Sequence, residues 1–281
     1  MRFAAAVSRR EDVGEAVQHL AASVQHQLPG DVDLLAVFFT QHYLDEAAAL
    51  AAKLRRELAP RALIGCSCEG VIGGDKEIEG EPGISVLAGQ LPGITLTPFH
   101  ISNEEWEDLL FSPESEDLLR RRVGLRGTRL ESTRACLVFG DPFTTREEFL
   151  QALEALLPGV PLVGGIASGG HQFGQNRLLL NDGVVEDGVV GLRMAGPIRV
   201  ATVVNQGCRP IGSSLLVTRA EENLIRTLNG RPAQEVIRET LEALAPEEQE
   251  LVHNGLFIGI VINEYQPAFE CGDFRLSATT F

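Results

Sequence analysis

Two stretches of this chain are versions of one another. "ALIGCSCEGV" (62–71) and "PLVGGIASGG" (161–170) align without a gap, which sets Gly164 on Gly65, Ser168 on Glu69 and Gly169 on Gly70. The flanks repeat as well. "LLAVFF" (34–39) precedes the first stretch as "ACLVFG" (135–140) precedes the second, and "GISVLAGQLPGITLTPF" (83–99) answers to "GVVGLRMAGPIRVATVV" (188–204). A period of about 100 residues is far longer than the unit of a solenoid. It restricts the chain to two similar α/β halves packed as pseudo-symmetric partners.

Hydrophobic spacing supplies the elements. Val13, Val17, Leu20, Val24 and Leu28 fall on one helical face behind Asp12, a side chain suited to an N-cap. "DLLAVFF" (33–39) is a continuous apolar run of strand length, the pattern of a strand covered on both faces. Leu44, Ala47, Ala51, Leu54 and Leu58 mark a second helix stopped at Pro60, and "ALIG" (62–65) is a short strand running into the first bend. "GISVLAG" and "GITLTPF", joined by "QLPG", read as a hairpin. In the second half, Ser112-Pro113 opens a charged helix that ends near Gly124. Thr144 or Thr145, with Glu147 or Glu148 three residues on, offers a capping box for a helix burying Phe149, Leu150, Leu153, Leu156 and Leu157. The expected fold is α/β of the mixed α+β kind: layered mixed sheets with helices, in two pseudo-symmetric αβαβββ repeats, about 1–100 and 101–218. After Arg219 the pattern changes. Asn229-Gly230 marks a turn, Pro232 a helix start, and Ala233, Val236, Ile237, Thr240, Leu241 and Leu244 an apolar face. "GLFIGIVI" (255–262) reads as a buried strand, so 219–281 is expected to be part of a second domain.

Charge and cysteine usage narrow the function. Lys and Arg number 24 against 39 Asp and Glu, a net charge of -15. That surface repels phosphate backbones and anionic headgroups, so no nucleic-acid or membrane partner is expected. No stretch approaches the ~20 apolar residues that span a bilayer, and "MRFAAAVSRRED" lacks the layout of a secretory signal. Cys66, Cys68, Cys136, Cys208 and Cys271 are odd in number and scattered, which fits a reducing cytoplasmic setting. Cys66 and Cys68 are read as pointing to opposite faces of an extended segment, with no bond between them.

The first bend invites four chemical readings. Cys66 as a nucleophile needs a base, and of the six histidines His171 lies just beyond the matching bend. The second copy has Gly165 and Ala167 where the cysteines stand, which favours a small buried thiol at a strand exit. No second pair at zinc spacing accompanies Cys66 and Cys68, so no metal is expected. Neither phosphate-loop pattern is present, the acidic "GGDKEIEGEPG" (73–83) reads as a solvated hairpin tip, and no cofactor is expected. What remains is glycine itself, which permits close backbone approach. Two such bends, with Ser67, Ser168 and Glu69, form a set able to hold the carboxylate and amine of an amino-acid-sized ligand. The competing explanation is that the glycines only let the halves pack closely. Asp141 before Pro142 reads as a turn-capping aspartate.

These motifs together resemble the FIST family, the F-box and intracellular signal transduction proteins. The resemblance rests on "LIGCSCEGVIGGDKEIE", "SVLAGQLPG", "VFGDPF", "LVGGIASGG", "NGRPAQEVI" and "GDF", and covers almost the whole chain. It implies an amino-terminal FIST domain over 1–218 and a partial carboxy-terminal one over 219–281. It also implies a non-catalytic cytoplasmic sensory module that binds a small ligand and couples to a signalling-protein partner. Its expected ligand residues are Gly65, Cys66, Ser67, Glu69, Gly70, Gly164, Gly165, Ser168 and Gly169, with Asp141 beside them. The alternatives are a thiol hydrolase or transferase using Cys66 with His171, and an acidic protein-interaction scaffold.

Overall fold

A computed structural model describes residues 1–125, 132–202, 211–221, 224–252, 256–261 and 274–277. The chain divides into two compact units, Met1–Thr202 and Val203–Phe281. The first unit runs β1 (Arg2–Ser8), α1 (Val13–Gln27), β2 (Leu34–Thr40), α2 (Ala47–Leu58), β3 (Ala62–Cys68), β4 (Gly70–Gly73), β5 (Lys76–Glu79) and β6 (Ile84–Gln90). It continues with β7 (Thr95–Ile101), α3 (Trp106–Phe111), α4 (Ser115–Arg122), β8 (Thr133–Gly140) and α5 (Glu147–Leu156). It closes with β9 (Leu162–Ile166), β10 (Leu178–Leu180), β11 (Gly183–Val185) and β12 (Val189–Ala195).

The repeat is visible in the hydrogen bonding. One sheet has the order β1-β6-β2-β3-β10-β11 and the other β7-β12-β8-β9. Each is built on a parallel pair, β2 with β3 and β8 with β9, flanked by an antiparallel strand, β6 or β12. Gly65 lies opposite Val37 as Gly164 lies opposite Val138, and Phe38 opposite Cys66 as Phe139 opposite Gly165. Phe38 and Phe139 are therefore counterparts, and their rings meet edge to face at 5.4 Å.

Amphipathic patterning sets the layers. Alternate residues of the first sheet, Leu35, Val37, Phe39, Leu63, Val86 and Ala88, pack with Leu20, Val24, Leu50 and Leu54 of α1 and α2. Their neighbours, Leu34, Ile64 and Cys66, meet Ala135, Phe139, Val190 and Leu192 of the second sheet. The far side of that sheet, with Phe99, Ile101 and Val138, is covered by Trp106, Leu119, Phe149 and Leu153. The result is a helix–sheet–sheet–helix stack. Asp12 caps α1 as expected, accepting from the Glu15 amide at 2.8 Å.

Three expectations change here. β6 and β7 do not form a hairpin, because they belong to different sheets. Leu91 and Ile94 of the linking "LPGI" are fully buried, and that burial carries the chain across to the second sheet. β7 thus opens the second half, and its counterpart is β1, paired to β6 as β7 is to β12. The alanine-rich β1 has little strand propensity of its own, and its partner supplies the conformation. Neither capping box at α5 forms. Thr144 Oγ1 donates to Asp141 Oδ2 at 2.8 Å and Thr145 Oγ1 to the Gly188 carbonyl at 3.3 Å, leaving Arg146 at the N-cap without a side-chain bond.

The third change lies in the second unit. It contains β13 (Val217–Glu221), β14 (Leu224–Leu228), β15 (Arg231–Pro232), α6 (Ala233–Glu242), α7 (Pro246–Val252), β16 (Ile258–Val261) and β17 (Phe274–Ser277). Asn229 and Gly230 turn at φ 51° and 79°, the geometry for which Asn-Gly is suited. Ile225, Leu228, Ala233 and Val236 form a small core. The run read as a buried strand is β16, paired among the described residues with β17 alone, with Phe257 63% and Ile260 44% exposed. Gly255 and Ile262, at the ends of that run, lie outside the described residues, as do Cys208, His253 and Cys271. A two-stranded ribbon is marginal in water. We expect amides of Ile258–Val261 to exchange orders of magnitude faster than those of Val37–Phe39 in native-state hydrogen exchange. Equal protection in a proven monomer would refute this.

Candidate functional site

The hairpin β10–β11 belongs to the second half by sequence but pairs with β3 of the first, Leu178 opposite Cys66 and Leu180 opposite Ile64. That crossing draws the second bend onto the first. The Ser168 amide donates to the Ser67 carbonyl at 3.1 Å, and the Glu69 amide to Ser168 Oγ at 3.1 Å. A Cβ on Gly169 would stand 2.7 Å from Ser67 Cβ, so only glycine allows the approach.

A buried polar chain fastens the junction from behind. Asn176, fully buried, donates through Nδ2 to Asp141 Oδ1 at 3.1 Å, and its Oδ1 accepts from the Gly170 amide at 2.9 Å and Ser67 Oγ at 3.3 Å. Ser67 Oγ in turn accepts from the Arg177 amide at 3.0 Å. Asp141 Oδ2 accepts from Thr144 Oγ1 and, at 3.1 Å, from the Phe143 amide, so the turn-capping role read from sequence is present. Thr144 Oγ1 accepts from the Gly188 amide at 2.7 Å. Thr144, Asp141, Asn176 and Ser67 thus form one satisfied line across both halves, and groups in such a line cannot be removed singly without orphaning a neighbour. Sequence reasoning missed Asn176, since one polar residue in the polar run Gln175-Asn176-Arg177 carries no distinguishing signal.

The expected site residues separate into two sets. Gly65 and Gly164 serve strand packing, because a Cβ on either would collide with the carbonyl of Val37 or Val138. A Cβ on Gly70 would press on Glu79 Cγ at 2.8 Å. Cys66 and Ser67 are buried, at 3% and 0% exposure. Glu69 and Ser168 are exposed, and Gly165 faces open space with nothing within 4 Å of a Cβ placed there. Its φ is outside the left-handed region.

The two thiols are not on opposite faces. Residues two apart along a strand share a face, and the sulfurs of Cys66 and Cys68 lie 3.9 Å apart. The hydrogen bond to Cys68 and burial push the Cys66 thiol well above its ordinary range, the reverse of what a nucleophile requires. His171 is exposed, and its amide donates to Gln175 Oε1 at 3.0 Å. Among the described residues no cluster of three or more metal-ligating side chains occurs, and no helix is long and apolar enough to cross a membrane.

The family model of the FIST N domain matches residues 33–231. The chain belongs to the FIST family. FIST domains are sensory signal-transduction domains, and the paired bends lie inside the matched segment. The chain is 37% identical to the uncharacterized protein Rv0628c of Mycobacterium tuberculosis, over 98% of its own length and 69% of that protein's. It is 34% identical to the uncharacterized protein Mb0898c of Mycobacterium bovis, over 98% and 68%. A solved structure of cyanuric acid hydrolase aligns with 70% of this FIST chain and 69% of its own, at a TM-score of 0.30 and 12% identity.

Asn176→Ala should lower the unfolding free energy by about 1–3 kcal/mol in urea denaturation, because Asp141, Gly170 and Ser67 each lose a partner. Glu69→Gln, at an exposed position, should change it by less than about 0.5 kcal/mol.

Proposed function

We propose that this FIST chain is a non-catalytic cytoplasmic sensory module that binds an amino-acid-sized ligand where the two bends meet. One observation carries the reading. Glu69 and Ser168 are joined at the surface and Gly165, on β9 three residues before Ser168, faces open space, while the polar groups behind them are satisfied within the protein. Such a division is what a preorganised site needs, because a rigid backing holds a few exposed groups without being consumed by the ligand. In this reading Glu69 takes the ligand's ammonium group, the Ser168 hydroxyl donates to its carboxylate, and Gly165 leaves room for its body. Gly65, Cys66, Ser67, Gly70, Gly164 and Gly169 shape the bends rather than touch the ligand. A signalling-protein partner would then read the occupied state. The thiol-enzyme alternative is disfavoured by the raised Cys66 thiol. Free thiols at Cys66, Cys68 and Cys136 fit a reducing compartment.

A thermal-shift screen against amino acids and small metabolites tests the reading directly, since a ligand bound only by the folded state raises the melting temperature with concentration. For a hit carrying an ammonium group, Glu69→Gln should weaken binding by about 1.5–3 kcal/mol. Gly165→Val should abolish binding with little loss of stability. Unchanged affinity in both variants would place the ligand elsewhere.

A further inference from the structure

We propose that Cys66 and Cys68 form a peroxide-sensitive dithiol, closing to an intramolecular disulfide that resets the bend between them. The pair is set up by strand geometry. Both thiols stand on the face of β3 that looks toward the second sheet, with their sulfurs 3.9 Å apart. A strand advances about 3.3 Å per residue, so Cα atoms two apart are about 6.6 Å from each other. That is inside the roughly 4.4–6.8 Å range that disulfides bridge. The thiols are also unequal. Cys66 is buried, whereas Cys68 is only partly so and ends the strand. The hydrogen bond from Cys66 lowers the Cys68 thiol below its ordinary value, with help from the Phe39 backbone and against burial. Cys68 is thus the sulfur a small oxidant meets first, and Cys66 is the resolving thiol behind it.

The step balances with hydrogen peroxide as oxidant. The Cys68 thiolate attacks one peroxide oxygen, forming an S–O bond as the O–O bond breaks, and the departing hydroxide takes up the Cys68 proton as water. Cys66 then attacks the Cys68 sulfur as its proton passes to the departing sulfenic oxygen, so S–S forms and a second water leaves without a free Cys66 thiolate. Two electrons pass from the sulfurs to the peroxide. The repeat shows that the fold does not need these thiols, since Gly165 and Ala167 occupy the matching places in the second half. Drawing the sulfurs from 3.9 Å to bonding distance must pucker the strand at Ser67. Ser67 is the residue whose carbonyl holds Ser168 and whose hydroxyl meets Asn176 and Arg177. Oxidation therefore acts on the contact that joins the two bends, whether or not a ligand sits there.

The test uses the full chain at neutral pH with hydrogen peroxide, followed by alkylation under denaturing conditions and mass analysis of tryptic peptides. The expected product is a peptide holding Cys66 and Cys68 that has lost two hydrogens, resists alkylation and is restored by dithiothreitol, with Cys136 still reduced. Cys66→Ser should stop at a sulfenic acid on Cys68, trapped by dimedone. Hydrogen exchange at the Ser168 and Arg177 amides should accelerate at least tenfold on oxidation. A wild-type protein in which Cys68 accumulates a dimedone adduct or higher oxides, or in which either thiol pairs with another cysteine first, overturns the dithiol. A disulfide that leaves those two amides unchanged overturns the coupling to the bend. Because the decisive readout is on the wild-type chain, misfolding of a variant cannot obscure it.

Discussion

The antiparallel pairing of β10 with β3 is the contact on which the rest of the first unit's geometry depends. It takes a strand from the second half and bonds it to the edge of the first half's sheet. Without it, the two sheets would be joined by side-chain packing, which tolerates sliding, by the 91–94 link and by the bonds between the bends. With it, the Ser67 amide is fixed to the Arg177 carbonyl at 2.9 Å and the Asn181 amide to the Leu63 carbonyl at 2.8 Å, so register is set by directional bonds. Ser168 and Asn176 then have only one place to go.

The halves are related in sequence but not in accessory strands. β10–β11 extends the first sheet beyond β3, while the counterpart hairpin, β4–β5, forms a sheet of its own and packs near β1, β2 and β6. Consequently β9 is an edge of the second sheet among the described residues, with Val163 37% and Ile166 50% exposed. Phe3 and Leu87, on the first sheet's inward-facing side, are also uncovered. This asymmetry makes one bend differ from the other. Cys66 is enclosed by Leu178 and its neighbours, whereas its counterpart Gly165 looks into open space. An open position and a packed one occupy the same place in the repeat.

Satisfaction of buried polar groups explains why the bends hold their shape. Asp141 is a fully buried carboxylate with no cation on it among the described residues, kept there by three donors, the Phe143 amide, Thr144 Oγ1 and Asn176 Nδ2. Replacing direct ion pairing by several oriented dipoles is a way to bury a carboxylate that also fixes direction. The same logic accounts for Arg193, 3% exposed. Its guanidinium donates to the carbonyls of Val123 and Gly124 at the end of α4 and to Thr97 and Thr133 hydroxyls. Partial charge at a helix carboxyl end favours such a cation.

Much of the architecture was legible in the residues. The offset of "LVGGIASGG" on "LIGCSCEGV" anticipated the register seen opposite Val37 and Val138, because a glycine needed for close strand approach in one half is needed in the other. Apolar periodicity located α1, α2, α5, α6 and the parallel strand pairs, since burial of one face leaves its mark along the chain. What periodicity cannot encode is which element meets which. The link "LPGI" has the local chemistry of a hairpin, yet burial of Leu91 and Ile94 sends β7 to another sheet. The shared face of Cys66 and Cys68 follows from strand pleating alone. The closeness of Glu69 to Ser168, the burial of Ser67 and the part played by Asn176 were settled by tertiary structure, because the β10 crossing that unites them is a long-range choice among sheet edges. Local sequence fixes the conformation of a segment through its own backbone and side chains. A site made by two segments a hundred residues apart exists only once packing energy has selected their common neighbour.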